Sequence, residues 1–301
     1  MVNNILIIGL TGNGKSALAN LLADTDKFEE SESITSKTKS FQKSNIFEWE
    51  KNSKKIKYRV IDNIGFADTN KIPEEEILLK IGEGIYSAKE GINQILFVFK
   101  GRFADDQIKA FNLFKKFISE SKVANYTTLI RTHFPNFRED GEIKKDQEDL
   151  LKQKKELAEI VKTCKGGVVY IDNPSISEMS EEESDEDSES DEEIKEMKKK
   201  LRETNKKEES RSRDKKKKKD SRKIVLDHLA ESCQDNFKLE KWGDIHRIME
   251  DYNEKKELVK NNVELKELES KVAKDIKKHL ETNLSNELGK VVAKIEFFKK
   301  K

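Results

Sequence analysis

Short apolar runs punctuate the first 176 residues of the chain. Ile5-Leu6-Ile7-Ile8, Tyr58-Arg59-Val60-Ile61, Ile95-Leu96-Phe97-Val98-Phe99, Thr127-Thr128-Leu129-Ile130 and Val168-Val169-Tyr170-Ile171 each read as a strand. Most are continuous rather than alternating, the mark of strands covered on both faces. Amphipathic stretches lie between them. From Asp105 to Ile118 the apolar positions Ile108, Phe111, Leu113, Phe114 and Phe117 form one helical stripe. Strands alternating with such stripes predict an α/β fold, with a doubly wound and mostly parallel sheet, over residues 1–176.

The pattern then changes twice. Glu178 to Glu196 is nearly all acidic with interspersed serines, and Lys198 to Arg222 is mostly basic. Neither half can bury enough apolar surface to offset chain entropy. Residues 177–222 are therefore expected to form a solvated low-complexity linker, with at most a short charged helix around Ile194 to Leu201. Its removal is expected to leave the first domain working. Helical periodicity returns over residues 223–301, first at Ile224, Leu226 and Leu229, then at Trp242, Ile245, Ile248, Met249 and Tyr252. Leu265, Leu268, Val272, Ile276, Leu280, Leu284 and Leu288 follow at steps of three or four. The steps are mostly four, so a coiled coil of strict heptads is not specified. Gly289 and the stretch from Asn283 to Asn286 interrupt the pattern. This face predicts packing, either back onto the first domain or against a helical partner.

Composition agrees with a core domain plus solvated remainder: 34% of the 301 residues are hydrophobic and 40% charged. Sixty basic against 59 acidic residues leave a net charge of +1, which favours neither nucleic acid nor membrane as partner. The lysine run from Lys215 to Lys219 has no interleaved aromatics on which bases could stack. Ser184, Ser188 and Ser190 lie among carboxylates, as an acid-directed kinase requires, but both features read first as a self-neutralising surface. Cys164 and Cys233 are too few for a disulfide framework and too far apart for a zinc site, so two reduced thiols are expected. The opening MVNNILIIGL runs into a strand without a basic region or cleavage site, and no apolar run is long enough to cross a bilayer. A soluble cytoplasmic protein is expected. The tail Phe297-Phe298-Lys299-Lys300-Lys301 is too short to hold an anionic membrane firmly.

The chemistry concentrates at Gly9-Leu10-Thr11-Gly12-Asn13-Gly14-Lys15-Ser16, a complete GxxxxGK[ST] between a strand and a helix that begins at Ala17. That context is what the motif requires. Glycines let backbone N–H groups turn inward and cradle phosphate oxygens. Gly9, Thr11, Gly12, Asn13, Gly14, Lys15, Ser16 and Ala17 are the candidate cradle. Within it Lys15 reaches the outer phosphates and Ser16 ligates Mg²⁺. Asp62-Asn63-Ile64-Gly65 follows the second strand, where the Asp62 carboxylate can hold Mg²⁺ through water and the Gly65 N–H can sense a γ-phosphate. Alone such a DxxG also describes a plain turn. Between the two motifs lies Ser33-Ile34-Thr35-Ser36-Lys37-Thr38, where Thr35, or failing it Thr38, would complete the Mg²⁺ shell; an ordinary solvated loop is the competing reading.

With these motifs in place, Phe97-Val98-Phe99-Lys100-Gly101-Arg102-Phe103-Ala104-Asp105-Asp106-Gln107 resembles the signature box of the immunity-associated GTPases, the GIMAP or avirulence-induced-gene family. The Thr11-Gly12-Asn13-Gly14-Lys15-Ser16 loop and the Ser33-Ile34-Thr35 segment also fit, and the resemblance covers roughly residues 1–175. It implies a septin-like G domain binding GTP or GDP with Mg²⁺, pairing of G domains through their nucleotide faces, and a C-terminal helical region. By chemistry alone, Asp105 and Asp106 are simply acids in a first helical turn, where the helix dipole favours them.

The chain departs from the family where a base-reading aspartate is expected after the fourth strand. Here Arg131-Thr132-His133-Phe134-Pro135-Asn136-Phe137 aligns Asn136 with that position, with His133 and Phe134 just before it. An amide has one acceptor oxygen and a competing donor, so guanine preference is weakened or supplied elsewhere. Phe134 or Phe137 would then stack on the base, unless the segment is only a packed loop. The residue after Gly65 is Phe66, whose ring cannot orient an attacking water, a feature the family shares. Asn173, in Asp172-Asn173-Pro174, corresponds to the family's base-supporting asparagine, although Asn-Pro also favours a simple turn.

The expectation is a slow GTPase acting as a nucleotide-controlled switch for self-association or partner binding. Lys15, Thr35 and Gly65 serve the reaction, Ser16, Thr35 and Asp62 the metal, and His133, Asn136 and Asn173 the base. A nucleotide-binding scaffold without useful turnover, and a P-loop ATPase or kinase, are the alternatives.

Overall fold

The computed structural model describes residues 2–28, 42–62, 73–88, 90–101, 103–118, 123–173, 191–233 and 242–279. Its centre is a sheet of β1 (Val2–Gly9), β2 (Gln42–Lys43), β3 (Phe47–Lys51), β4 (Lys54–Asp62), β5 (Gln94–Lys100), β6 (Thr127–Thr132) and β7 (Val168–Tyr170). The strand order is β2-β4-β1-β5-β6-β7, with β3 also on β4. Strands β4, β1, β5, β6 and β7 are parallel; β2 and β3 run antiparallel to β4. All five apolar runs are strands, and the pleat explains why they are apolar throughout. Leu6, Ile8, Ile95, Phe97 and Phe99 enter one core, while Ile5, Ile7, Leu96 and Val98 enter the core on the other face.

The β3–β4 hairpin was not among those runs. Phe47 and Trp49 alternate with Glu48 and Glu50, which suits a half-buried edge. Asn52 and Ser53 form its turn, both in the left-handed region with φ of 51° and 60°, the geometry that matches strand twist.

On the first face lie α2 (Glu74–Ser87), α3 (Asp105–Ile118), α4 (Asp140–Gln153) and α5 (Lys155–Thr163). Ile108 and Phe111 of the α3 stripe are buried, the latter edge-on to Phe97 at 5.2 Å. The side chains of Leu113, Phe114 and Phe117 lie outside the described ones. The second face carries α1 (Lys15–Ala23) and the end of α6 (Asp191–Ser232).

Helix α6 changes the expected organisation. It is one helix of 42 residues, so the expected boundary between linker and extension at 222–223 falls inside it. Lysine, glutamate, arginine and leucine are all good helix formers, and opposite charges four residues apart, as in Lys223–Asp227 at 2.7 Å, add to this. Composition alone does not separate such a helix from a solvated coil. The end of α6 is also docked. Val225, Leu226 and Leu229 are fully buried. Arg222 donates to the Leu21 carbonyl at 3.0 Å and lies 5.5 Å over the Trp49 ring, while the Trp49 indole donates to Asp227 at 3.0 Å.

The last two described helices, α7 (Trp242–Lys256) and α8 (residues 262–279), fold back onto α2. Ile245, Met249, Tyr252, Val272, Ala273 and Ile276 belong to the first-face core, so the described part of the C-terminal stripe packs intramolecularly. Leu280, Leu284, Leu288 and Gly289 lie outside the described residues. Gly82 of α2 permits the contact: a Cβ there would sit 2.6 Å from Ile276 Cδ1 and 2.8 Å from Met249 Sδ. Those atoms end flexible side chains, so Gly82→Ala is expected to be near neutral, with gained helix propensity offsetting crowding. Gly82→Leu is expected to cost about 1–3 kcal/mol by overpacking. Amide hydrogen exchange should show loss of protection in α7 and α8 with α1 and β1 unchanged; uniform protection would mean that the helices repack at no cost.

Candidate nucleotide site

Strand β1 sits between β4 and β5, where the chain's connections change direction, and the loop leaving its C-terminal end opens into the crevice where such sheets bind ligands. Gly9 has φ 145°, and a Cβ there would lie 2.3 Å from the Val98 carbonyl oxygen on β5, so only glycine lets the loop start this close to the sheet. Gly12 and Gly14 follow with φ of 78° and 83°. Among the described residues nothing lies within 4 Å of a Cβ placed on Gly12, so none of them covers the loop's outer side there.

Two buried side chains brace the loop from behind. The Asn13 amide donates to the Val98 carbonyl at 3.1 Å. The Thr132 hydroxyl, at the end of β6, reaches the Asn13 and Phe99 carbonyls at 3.0 and 3.1 Å. Thr132 is a positioning residue that the sequence reading passed over. Its only signal is a polar residue closing an apolar strand.

Lys15 opens α1 and is 6% exposed. Its ammonium folds back onto the Leu10 carbonyl at 2.9 Å. Burial lowers its pKa to about 8, against the upward pull of the Asp62 carboxylate. The Ser16 hydroxyl donates to Asp62 Oδ2 at 2.7 Å, with Asp62 fully buried at the end of β4. A hydroxyl and a carboxylate side by side are hard oxygen donors of the kind Mg²⁺ takes, and an ammonium beside an open glycine loop suits phosphate. These residues therefore fit a magnesium–nucleotide complex. Thr35, Thr38, Gly65, Phe66 and Arg102 lie outside the described residues.

Where the base is expected, His133 follows Thr132 in the left-handed region at φ 54°. Its Cε1 lies 3.6 Å from where a Cβ on Gly14 would be, so the imidazole stands over the phosphate loop. Partial burial lowers its pKa, Lys100 adds to this, and Asp172 opposes it. Asn173 donates from Nδ2 to the Ala17 carbonyl at 3.0 Å, which ties the β7 end to the first turn of α1. Its buried Oδ1 has no hydrogen-bond partner among the described residues. Asn136 is exposed in the turn beyond His133. Phe137 is 2% exposed beneath Arg138 and is packing, so of the two aromatic candidates only half-buried Phe134 remains. The ring of Phe134 meets Tyr170 at 4.9 Å and Arg131 at 5.5 Å.

Helix α6 holds this end of the site in a way the sequence did not signal. The Ser221 hydroxyl accepts from the Asp172 N–H at 3.1 Å and donates to the Asp172 carbonyl at 2.7 Å. Lys217 donates to the Asp172 carboxylate at 2.7 Å. A member of the lysine run is thus a structural partner of the residue beside Asn173.

Fold and loop together define an α/β domain of the P-loop class. The AIG1 family model matches residues 3–225, and the chain belongs to that family. The match reaches into the docked end of α6, in keeping with that segment completing the sheet's second face. Immune-associated nucleotide-binding protein 10 of Arabidopsis thaliana is 27% identical over 190 residues, which is 60% of this chain and 38% of that protein. The chain thus aligns with well under half of that relative. Among solved structures, a dimerisation-deficient Toc33 from Arabidopsis thaliana aligns with 57% of this chain and 71% of its own, at 18% identity and a TM-score of 0.41. Era from Aquifex aeolicus bound to GDP and AlF4⁻ aligns with 57% of this chain and 51% of its own, at 16% identity and a TM-score of 0.40.

Proposed function

We propose that the protein binds GTP and GDP with Mg²⁺, hydrolyses GTP slowly, and uses the bound nucleotide to control self-association. The observation that carries this reading is the grouping of buried Lys15 with the Ser16–Asp62 pair at the mouth of an open glycine loop. Family membership supports it. In this reading Lys15 and the loop N–H groups hold the outer phosphates, Ser16, Thr35 and Asp62 hold the metal, and Gly65 senses the γ-phosphate. When bound, Mg²⁺ would neutralise charge developing between the β- and γ-phosphates. His133, Asn136 and Asn173 meet the base, Asn173 through the Oδ1 that has no partner among the described residues. Phe66 stands where a water-orienting amide would speed hydrolysis, so turnover is slow without a partner's help.

A second reading, a scaffold that binds nucleotide without useful turnover and acts through its helices, draws on the packing of α7 and α8 against α2. Helix α2, which carries the C-terminal pair, begins nine residues after Gly65 along the chain.

Competition of GTP, GDP and ATP against a labelled GTP analogue, with single-turnover hydrolysis and sedimentation, separates these readings. GTP is expected to compete at least about tenfold better than ATP. A non-hydrolysable GTP analogue should raise the sedimenting mass relative to GDP, since a ligand shifts association only through differential affinity for the two states. Equal competition by ATP would favour a P-loop ATPase or kinase. Equal masses with binding but no turnover would favour the scaffold. Asn136→Asp restores two acceptors for guanine and is expected to raise the preference for GTP over ATP and xanthosine triphosphate, by about tenfold for hydrogen bonds to a charged group. Unchanged relative affinities for the three nucleotides would place Asn136 away from the base.

A further inference from the structure

At the N-terminal ends of the parallel strands, opposite the phosphate loop, a cavity of about 780 Å³ lies between β4 and the end of α6. That is the size of a small-molecule pocket. Lys54, Lys55 and Lys57 line one side, Leu229 and Ala230 of α6 line another, and Tyr58 lines it between them; among the described residues no carboxylate lines it. Lys57 meets Glu48 only loosely, at 3.7 Å with both side chains about half exposed. Lys54 and Lys55 have no ion pair among the described residues. Tyr58 is 0% exposed, and its hydroxyl has no hydrogen-bond partner among the described residues. Burial raises the phenol's pKa, so it remains a donor. A buried donor without an acceptor is costly and calls for a ligand or a compensating role. Strand alternation puts Ile56 and Tyr58 on the side of the sheet that packs with α6, so an apolar wall adjoins the cationic rim.

We propose that this cavity is a second ligand site, separate from the nucleotide site, that takes one anionic amphiphile. Its phosphate or carboxylate meets Lys54, Lys55 and the Tyr58 hydroxyl, and its apolar body lies against Ile56, Leu229 and Ala230. Lysines suit such a ligand because their flexible ammonium groups follow an anion as point charges. The wall of α6 explains why a bare anion is not enough: an apolar body laid against it is removed from water. A bilayer headgroup and a soluble acyl or aromatic phosphate share this chemistry.

Calorimetric titration of the full chain, held with saturating GDP, with monomeric dodecyl phosphate tests the assignment. One molecule is expected to bind per chain, at least about tenfold tighter than inorganic phosphate. Lys54→Gln combined with Lys55→Gln is expected to weaken it about tenfold, and Tyr58→Phe several-fold, without lowering the melting temperature. Ala230→Glu, which puts a carboxylate in the wall, should abolish binding. Equal affinity in the wild type and the double lysine variant, equal affinity for inorganic phosphate, or no binding at all would overturn the proposal. Lysine-dependent recruitment to vesicles of phosphatidylcholine and phosphatidylserine would identify a headgroup as the source. Binding of dodecyl phosphate without recruitment would identify a soluble one.

Discussion

Lys15→Ala is expected to remove nucleotide binding while leaving the nucleotide-free protein folded. The ammonium is buried at the head of α1, held on the Leu10 carbonyl, with a pKa lowered to about 8 because burial outweighs the attraction of Asp62. At neutral pH it is charged but poorly solvated, and phosphate oxygens would supply what water does not. Truncating one partner of a buried, hydrogen-bonded charge pair costs about 2–5 kcal/mol, which is roughly thirty-fold to several thousand-fold in affinity. Loss of the side chain should disturb the empty fold far less, since it also removes a desolvated charge. Two readouts separate the effects. Thermal melting without nucleotide should stay near the wild-type value, and GTP, which raises the wild-type melting temperature by mass action, should no longer do so. Unchanged affinity for a labelled GTP analogue would place the phosphates elsewhere on the molecule. Collapse of the nucleotide-free protein would give Lys15 a structural role instead.

The glycine-loop end of the candidate site was legible because its constraints are local. Gly9, Gly12, Gly14, Lys15 and Ser16 stand in one loop, and the strand before it and helix after it are strongly patterned. Asp62 was legible for the same reason, closing an apolar strand that the sheet places beside β1. The base end was harder. There the contacts join residues far apart in sequence: Thr132 to Asn13, Asn173 to Ala17, and Lys217 and Ser221 to Asp172. No spacing rule reports such pairings. Phe137 shows the converse, since an aromatic in a base-proximal segment looks like a stacking platform until its burial is known. The β3 hairpin did carry a signal, alternation of Phe47 and Trp49 with glutamates before an Asn-Ser turn, but its charge made it resemble a loop. Helix α6 was obscured by the same ambiguity on a larger scale. Its apolar residues Val225, Leu226 and Leu229 crowd into the last turns, and the charged residues before them read equally as helix or as coil.

That ambiguity makes excision of residues 178–222 the second informative experiment, because sequence and structure now predict opposite results. A solvated linker would be dispensable. The structure makes the end of this segment a brace for Asp172, the neighbour of the candidate base-contacting residue Asn173. Its excision removes Lys217 and Ser221, which together satisfy the carboxylate, N–H and carbonyl of Asp172, a residue only 7% exposed. It also removes Arg222, which caps the Leu21 and Leu22 carbonyls at the end of α1. Each buried polar group left without its partner costs about 1–3 kcal/mol. Several such losses approach the 5–15 kcal/mol or so that holds a whole domain together. Residues 223–232 would also have to find the second face of the sheet without the helix that now delivers them. Loss of cooperative unfolding, and with it of nucleotide binding, is therefore expected. A shorter excision of residues 178–207 leaves Lys217, Ser221, Arg222 and the docked turns in place, and is expected to melt and bind as the full chain does. If instead the long excision melts cooperatively and binds GTP with unchanged affinity, Asp172 is held by something other than α6, and Asn173 keeps its place against Ala17 without it.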